Sequence, residues 1–138
     1  MTNQSLPESR FLVLCQSTSE NPDGSLNLHG ILSIVHLESE LAEMPPAEAA
    51  CKLVFSIYTQ DQSQTFDFRI NIKFPSGTES ESAFEKMGKT KKGFLATTIA
   101  NLNLRLYQPG LHWIEIYLGK HLMARAPLEV HYTQRIRQ

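Results

Sequence analysis

Ten residues, Thr65–Phe74, constrain the fold of this chain more than any other stretch. Phe66, Phe68, Ile70, Ile72 and Phe74 alternate with Thr65, Asp67, Arg69, Asn71 and Lys73. Strict period two is the mark of a half-buried antiparallel strand, with one face on a core and the other toward water. A lone strand cannot bury such a face, so a second layer must cover it. Other segments supply it. Cys51, Leu53, Phe55 and Ile57 alternate within CKLVFSIYT, and the polar DQSQ of residues 61–64 joins this strand to the next as a hairpin loop. Phe11–Cys15, FLVLC, reads as a first strand. Pro22, Asp23 and Gly24 then mark a turn. A second strand runs from Ser25 to Leu37, with Gly30 inside it as a bulge or bend that changes which side faces inward.

The carboxy-terminal half is as regular. Leu102, Leu104 and Leu106 alternate with Asn101, Asn103 and Arg105. Pro109 and Gly110 suit a type II turn. Ile114, Ile116 and Leu118 then share one face, against Trp113, Glu115 and Tyr117 on the other. Gly119 and Lys120 make a tight return. The last strand sets Leu122, Ala124, Ala126, Leu128 and Val130 against Met123, Arg125, Pro127, Glu129 and His131. Pro127 lacks a donor, which places this strand at an edge, at least locally.

Between these strands lie an acidic link, 38–49, with room for a helical turn before Met44, and a long Lys-rich loop, 75–93. That loop is far longer than the usual 4–6 residues or so, and Ser80–Lys86 within it can form a short helix. Residues 1–9 read as a flexible N-terminus and 133–138 as a polar tail. The expectation is one all-β domain, 1–138, of two antiparallel sheets packed face to face, with seven or eight strands.

Two stretches, FLVLCQSTSENPDGSLNLHGILSIV and LYQPGLHWIEIYLGKHLMARAPLEV, resemble the opening and closing strands of an uncharacterised bacterial family of small β proteins. The resemblance spans nearly the whole chain and departs at the Lys-rich segment 75–93. It implies an immunoglobulin-like β-sandwich, and brings no known activity, cofactor or catalytic residue.

Composition excludes several classes. The chain is 41% apolar and 20% charged, with net charge −1, which fits a globular protein and not a nucleic-acid binder as a whole. Charge is uneven: residues 1–60 hold two bases against seven acids, and 61–138 hold eleven against seven. Such asymmetry permits head-to-tail association. MTNQSLPESR lacks the pattern of a signal peptide, and the apolar runs fall far short of the roughly 20 residues of a membrane helix. A cytoplasmic protein with no membrane partner is expected, with Cys15 and Cys51 as free buried thiols.

Chemistry finds little support. The five histidines, His29, His36, His112, His121 and His131, form no HxH or HExxH pattern. There is no GxSxG elbow, and GKTKKG lacks the earlier glycine of a phosphate loop. Asp61, Asp67 and Glu115 read as solvated carboxylates, and Cys51 as inert. No enzyme, metal or cofactor is expected. Lys86, Lys89, Lys91 and Lys92 form the strongest electrostatic feature, a solvated loop or a contact for an anionic partner; nucleic acid is the less favoured occupant.

Trp113 and Tyr117 stand on the face opposite the core, with Met123 and Arg125 across the hairpin. These residue types are enriched at protein interfaces. Three readings stay open: a partner covers them, the 38–49 link or the 75–93 loop covers them, or the inward face is inverted. The functional expectation is a protein-binding or assembly module that pairs with another protein or with itself as a homodimer. The alternatives are a binder of a small anionic ligand or nucleic acid through the four lysines, and an enzyme with a dispersed site.

Overall fold

The computed structural model describes residues 8–9, 11–58, 64–90 and 95–136, with the backbone alone for 64–66, 80–90 and 95–96. Among the described residues nine strands follow one another, not the seven or eight expected: β1 Leu12–Glu20, β2 Leu26–Ile31, β3 Ile34–Ser39, β4 Ala47–Tyr58, β5 Gln64–Lys73, β6 Glu79–Thr90, β7 Leu95–Leu106, β8 Gly110–Leu118 and β9 His121–Gln134. No helix occurs among the described residues. One sheet has the order β2-β1-β4-β7, the other β3-β9-β8-β5-β6. The alternating apolar residues meet between them. Leu14, Leu53, Phe55, Leu102, Leu104 and Leu106 come from the first sheet, and Phe68, Ile70, Ile72, Ile114, Ile116 and Leu128 from the second. The rings of Phe55 and Phe68 meet edge to face across the layers at 5.0 Å. Each such side chain contributes about 1.5–3 kcal/mol by burial, so this interior accounts for most of the driving force.

Four further expectations about strands and their pairing are corrected. The sheets are not wholly antiparallel: β3 runs parallel to β9, from Ile34 beside Glu129 to Ser39 beside Gln134. The single strand expected over Ser25–Leu37 is two strands in different sheets. Leu32 N–H donates to the Leu14 carbonyl at 2.8 Å, while the Ser33 carbonyl accepts from Glu129 N–H at 2.9 Å. The chain therefore changes layers at the peptide between Leu32 and Ser33. Gly30 prepares the crossing with φ +66°, and a Cβ there would stand 2.6 Å from the Gln16 side-chain oxygen.

The third correction concerns 75–93. Residues 79–90 are not loop or helix but the edge strand β6, paired with β5 from Lys73 beside Glu79 to Gln64 beside Thr90. A short turn makes the hairpin, with Gly77 N–H on the Phe74 carbonyl. The tail is the fourth: Thr133 and Gln134 pair with Glu38 and Ser39 within the sheet. At the other end Glu8 bridges to Tyr58. Pro127 does lie where β9 has a free side, because β3 begins its pairing only at Glu129. Residues 1–7, the 61–63 part of the expected DQSQ loop, and Lys91 and Lys92 lie outside the described residues.

The acidic link holds no helical turn. It stays at the far end of β3 and β9, where Tyr132 Oη donates to the Leu41 carbonyl and Gln134 Nε2 to the Glu40 carbonyl. No helix is long and apolar enough to cross a membrane among the described residues.

Candidate functional site: the outer face of the five-stranded sheet

On β8 the even residues His112, Ile114 and Ile116 are buried in the core. The odd residues Trp113, Glu115 and Tyr117 therefore face outward, as the alternation predicts. Register extends this face over the neighbouring strands in three rows. Lys73, Trp113 and Pro127 form one; Asn71, Glu115 and Arg125 the next; Arg69, Tyr117 and Leu122 the third. Trp113 and Tyr117 are half-buried. The link is held instead at the far end of β3 and β9, and the 91–93 end of the expected loop lies outside the described residues. The Arg125 guanidinium lies over the Trp113 ring, 4.1 Å from its centroid, and the Arg69 guanidinium lies 5.3 Å from that of Tyr117. Such cation–π contacts contribute about 0.5–1 kcal/mol at exposed sites, and roughly 2 when water is excluded.

Met123 does not join this face. Two residues of β9, Met123 and Leu122, occupy the space of one, because Ile116 pairs with Ala124 while Tyr117 already pairs with Leu122. This bulge turns the exposed Leu122 outward beside Tyr117 and packs Met123 against the core. A bulge is invisible to simple alternation, which is why the sequence places Met123 on the wrong side.

Glu115 is the larger surprise. It was expected to be solvated, yet it is only 4% exposed, and its neighbour Asn71 only 5%. Tyr117 Oη donates to Glu115 Oε1 at a long 3.3 Å. Asn71 Oδ1 is buried with no hydrogen-bond partner among the described residues. An unsatisfied buried polar group costs about 1–3 kcal/mol, and a buried carboxylate several more unless it is paired. Burial, together with the Glu115 carboxylate and the more distant Glu79, pushes the Tyr117 phenol above its ordinary range, against a smaller opposing effect of Arg69. Arg69, Asn71 and Glu115 escape a sequence reading of the site. The only signal for them is register: once β5 pairs with β8, they fall beside the two aromatics.

The other candidates are scattered. Lys86 and Lys89 lie on β6, beside Phe68 and Thr65 in register, so they belong to an edge strand and not to a flexible loop. Cys15 and Cys51 are free and buried. Burial, and for Cys51 the nearby Cys15, raises both thiols, Cys51 to about 11, which keeps them protonated and poorly nucleophilic at neutral pH. His112 is fully buried; its Nδ1–H donates to the Gly110 carbonyl at 3.0 Å, and its ring edge meets Phe74 at 5.5 Å. Burial pulls its pKa below the usual histidine value. His36 and His131 stack edge to face at 5.2 Å near the β3 edge. Among the described residues, no group of three or more His, Cys, Asp or Glu is arranged to hold a metal.

No curated protein matches this chain. Among solved structures it is similar to the alkylpurine DNA glycosylase AlkC of Pseudomonas fluorescens, bound there to DNA containing an abasic site analogue. The TM-score is 0.56 at 12% identity, over 91% of this chain and 30% of the glycosylase chain. That likeness concerns fold alone, and this chain spans less than a third of the glycosylase. The model of a family of unknown function, DUF6941, matches residues 10–131. The chain belongs to that family.

Proposed function

We propose that this protein is a binding or assembly module, not an enzyme, that recognises a protein through the outer face of its five-stranded sheet. The observation that carries this reading is the Trp113–Glu115–Tyr117 row with its flanking arginines. Aromatic residues and arginine are the side chains most often found at the energetic centres of protein interfaces. Around this row stand exposed apolar residues: Leu122 beside Tyr117, and Leu111 and Ile34 on either side of Glu129. We read the fold as immunoglobulin-like. The order β1-β4-β7 parallels strands A, B and E of that fold, and β9-β8-β5 parallels G, F and C, with β6 extending the second sheet. We take the location as cytoplasmic, in keeping with two free thiols.

Self-association is the first form to test, by light scattering across a dilution series. If a homodimer uses this face, Leu122→Glu and Leu111→Glu lower the mass to the 15.6 kDa of one chain without unfolding it. A dimer that persists in both variants contradicts self-association through this face. A wild-type monomer at every concentration assigns the face to a different protein.

A further inference from the structure

We propose that Glu115 and Asn71, between the rings of Trp113 and Tyr117, form a receptor for one arginine side chain of a partner protein. The inference rests on the reading of this face as a protein-binding surface. Two acceptors lie side by side on it, since Glu115 and Asn71 are cross-strand partners, and side chains so placed stand about 4.5–5.5 Å apart at Cβ. Both are more than nine-tenths buried. Asn71 Oδ1 has no hydrogen-bond partner among the described residues, and Glu115 accepts the long hydrogen bond from Tyr117. The unmet demand at this spot is for N–H donors carrying positive charge.

The resident arginines do not meet it. Arg125 is the cross-strand partner of Glu115, yet its guanidinium lies on the Trp113 ring. Arg69 is turned over Tyr117 in the same way. No ion pair to Glu115 forms among the described residues. Both guanidinium groups lie on the rings, and the carboxylate is left to an incoming donor.

Guanidinium fits this demand better than ammonium. Its planar fork can give two parallel N–H bonds to the Glu115 carboxylate and a further one to Asn71 Oδ1. Its plane can stack on the aromatic rings set two residues either side of Glu115. A lysine offers a point charge with no plane. Entry requires the two half-exposed rings to part, so the fluorescence of Trp113 should respond.

Trp113 is the single tryptophan of the chain, which makes the test direct. The full chain is titrated at constant ionic strength with N-acetyl-arginine amide, and with N-acetyl-citrulline amide as the neutral isostere. Trp113 fluorescence and the indole N–H resonance are followed. We expect a saturable response to the arginine probe, with apparent affinity at least about tenfold weaker for citrulline and for Glu115→Gln, the weight of a charge-assisted hydrogen bond. No saturable response, or an equal one from citrulline, overturns the receptor even if the variant fails to fold. An equal response in a folded Glu115→Gln variant overturns it too. Protein cross-links from a benzophenone amino acid placed at Leu122, without an arginine response, overturn the receptor alone. An arginine response with no cross-link overturns the protein-binding reading, and with it the assignment of the arginine to a partner.

Discussion

On the outer face of the four-stranded sheet, Val13, Val54 and Ile99 form a cross-strand row. Val54 is fully buried there. An ion pair of this face sits in solvent: Arg105 and Glu48 pair at 3.7 Å with 71% and 61% of their side chains exposed. On the outer face of the five-stranded sheet the plan is reversed. Charge and amide lie beneath, in Glu115 and Asn71, and the aromatic rings with their arginines lie around them. Both faces cover the same core, so folding does not demand the second plan. An outer row can be closed with valine and isoleucine, as the first sheet does. A sheet that instead buries a carboxylate gives up stability, and the recognition proposed above is a function that such an arrangement would serve.

Placing a charge where the four-stranded sheet has none gives the largest expected effect. Val54→Asp should destabilise the fold by about 3–5 kcal/mol, the cost of an unpaired buried charge, measured by urea unfolding. Glu115→Leu should go the other way, leaving stability unchanged or raising it by up to about 3 kcal/mol. A large loss in Glu115→Leu would show that the carboxylate serves folding, and would erase the contrast between the faces. Arg125→Ala should cost about 0.5–2 kcal/mol and should change the emission of Trp113; unchanged emission would contradict the contact. Arg105→Ala, on the other face, should cost less than about 1 kcal/mol because both partners are solvated.

His112 offers a control beneath both faces. Its folded-state pKa is lowered from 6.5 by burial, despite the opposing hydrogen bond to the Gly110 carbonyl. Below pH 6.5 the unfolded chain takes up a proton that the folded chain resists. Stability should therefore fall as pH drops through this window, and gain nothing from this residue above it. Denaturant unfolding of wild type and His112→Leu between pH 5 and 8 checks this, on the scale of ordinary side-chain values. The difference in their slopes should appear below about pH 6.5 and vanish above it.

Much of the fold is legible in the sequence because it is local. The alternations around Phe68–Ile72 and Ile114–Ile116 fix which side faces the core, and both hold in the structure. What escapes is set by distant partners. Residues 79–90 carry good helix formers such as Ala83, Glu85, Lys86 and Met87, yet pairing with β5 makes them a strand, since tertiary context overrides weak local preference. The layer change at Leu32–Ser33 depends on Leu14 and Glu129, each far away in the chain. The candidate site was half visible. Trp113, Tyr117 and Arg125 stand out by residue type and spacing. Burial of Glu115 and Asn71 comes from neighbours that only register brings together, and the bulge at Met123 exchanges two side chains that alternation had already placed.

The most direct test of the contrast between the faces is photo-cross-linking in cells that make the full chain. One variant carries a benzophenone amino acid at Leu122, on the five-stranded face, and another at Ile31, exposed on the four-stranded sheet. If the account is right, protein adducts form from position 122 and not from 31. Equal adducts from both positions, or adducts from 31 alone, would contradict it.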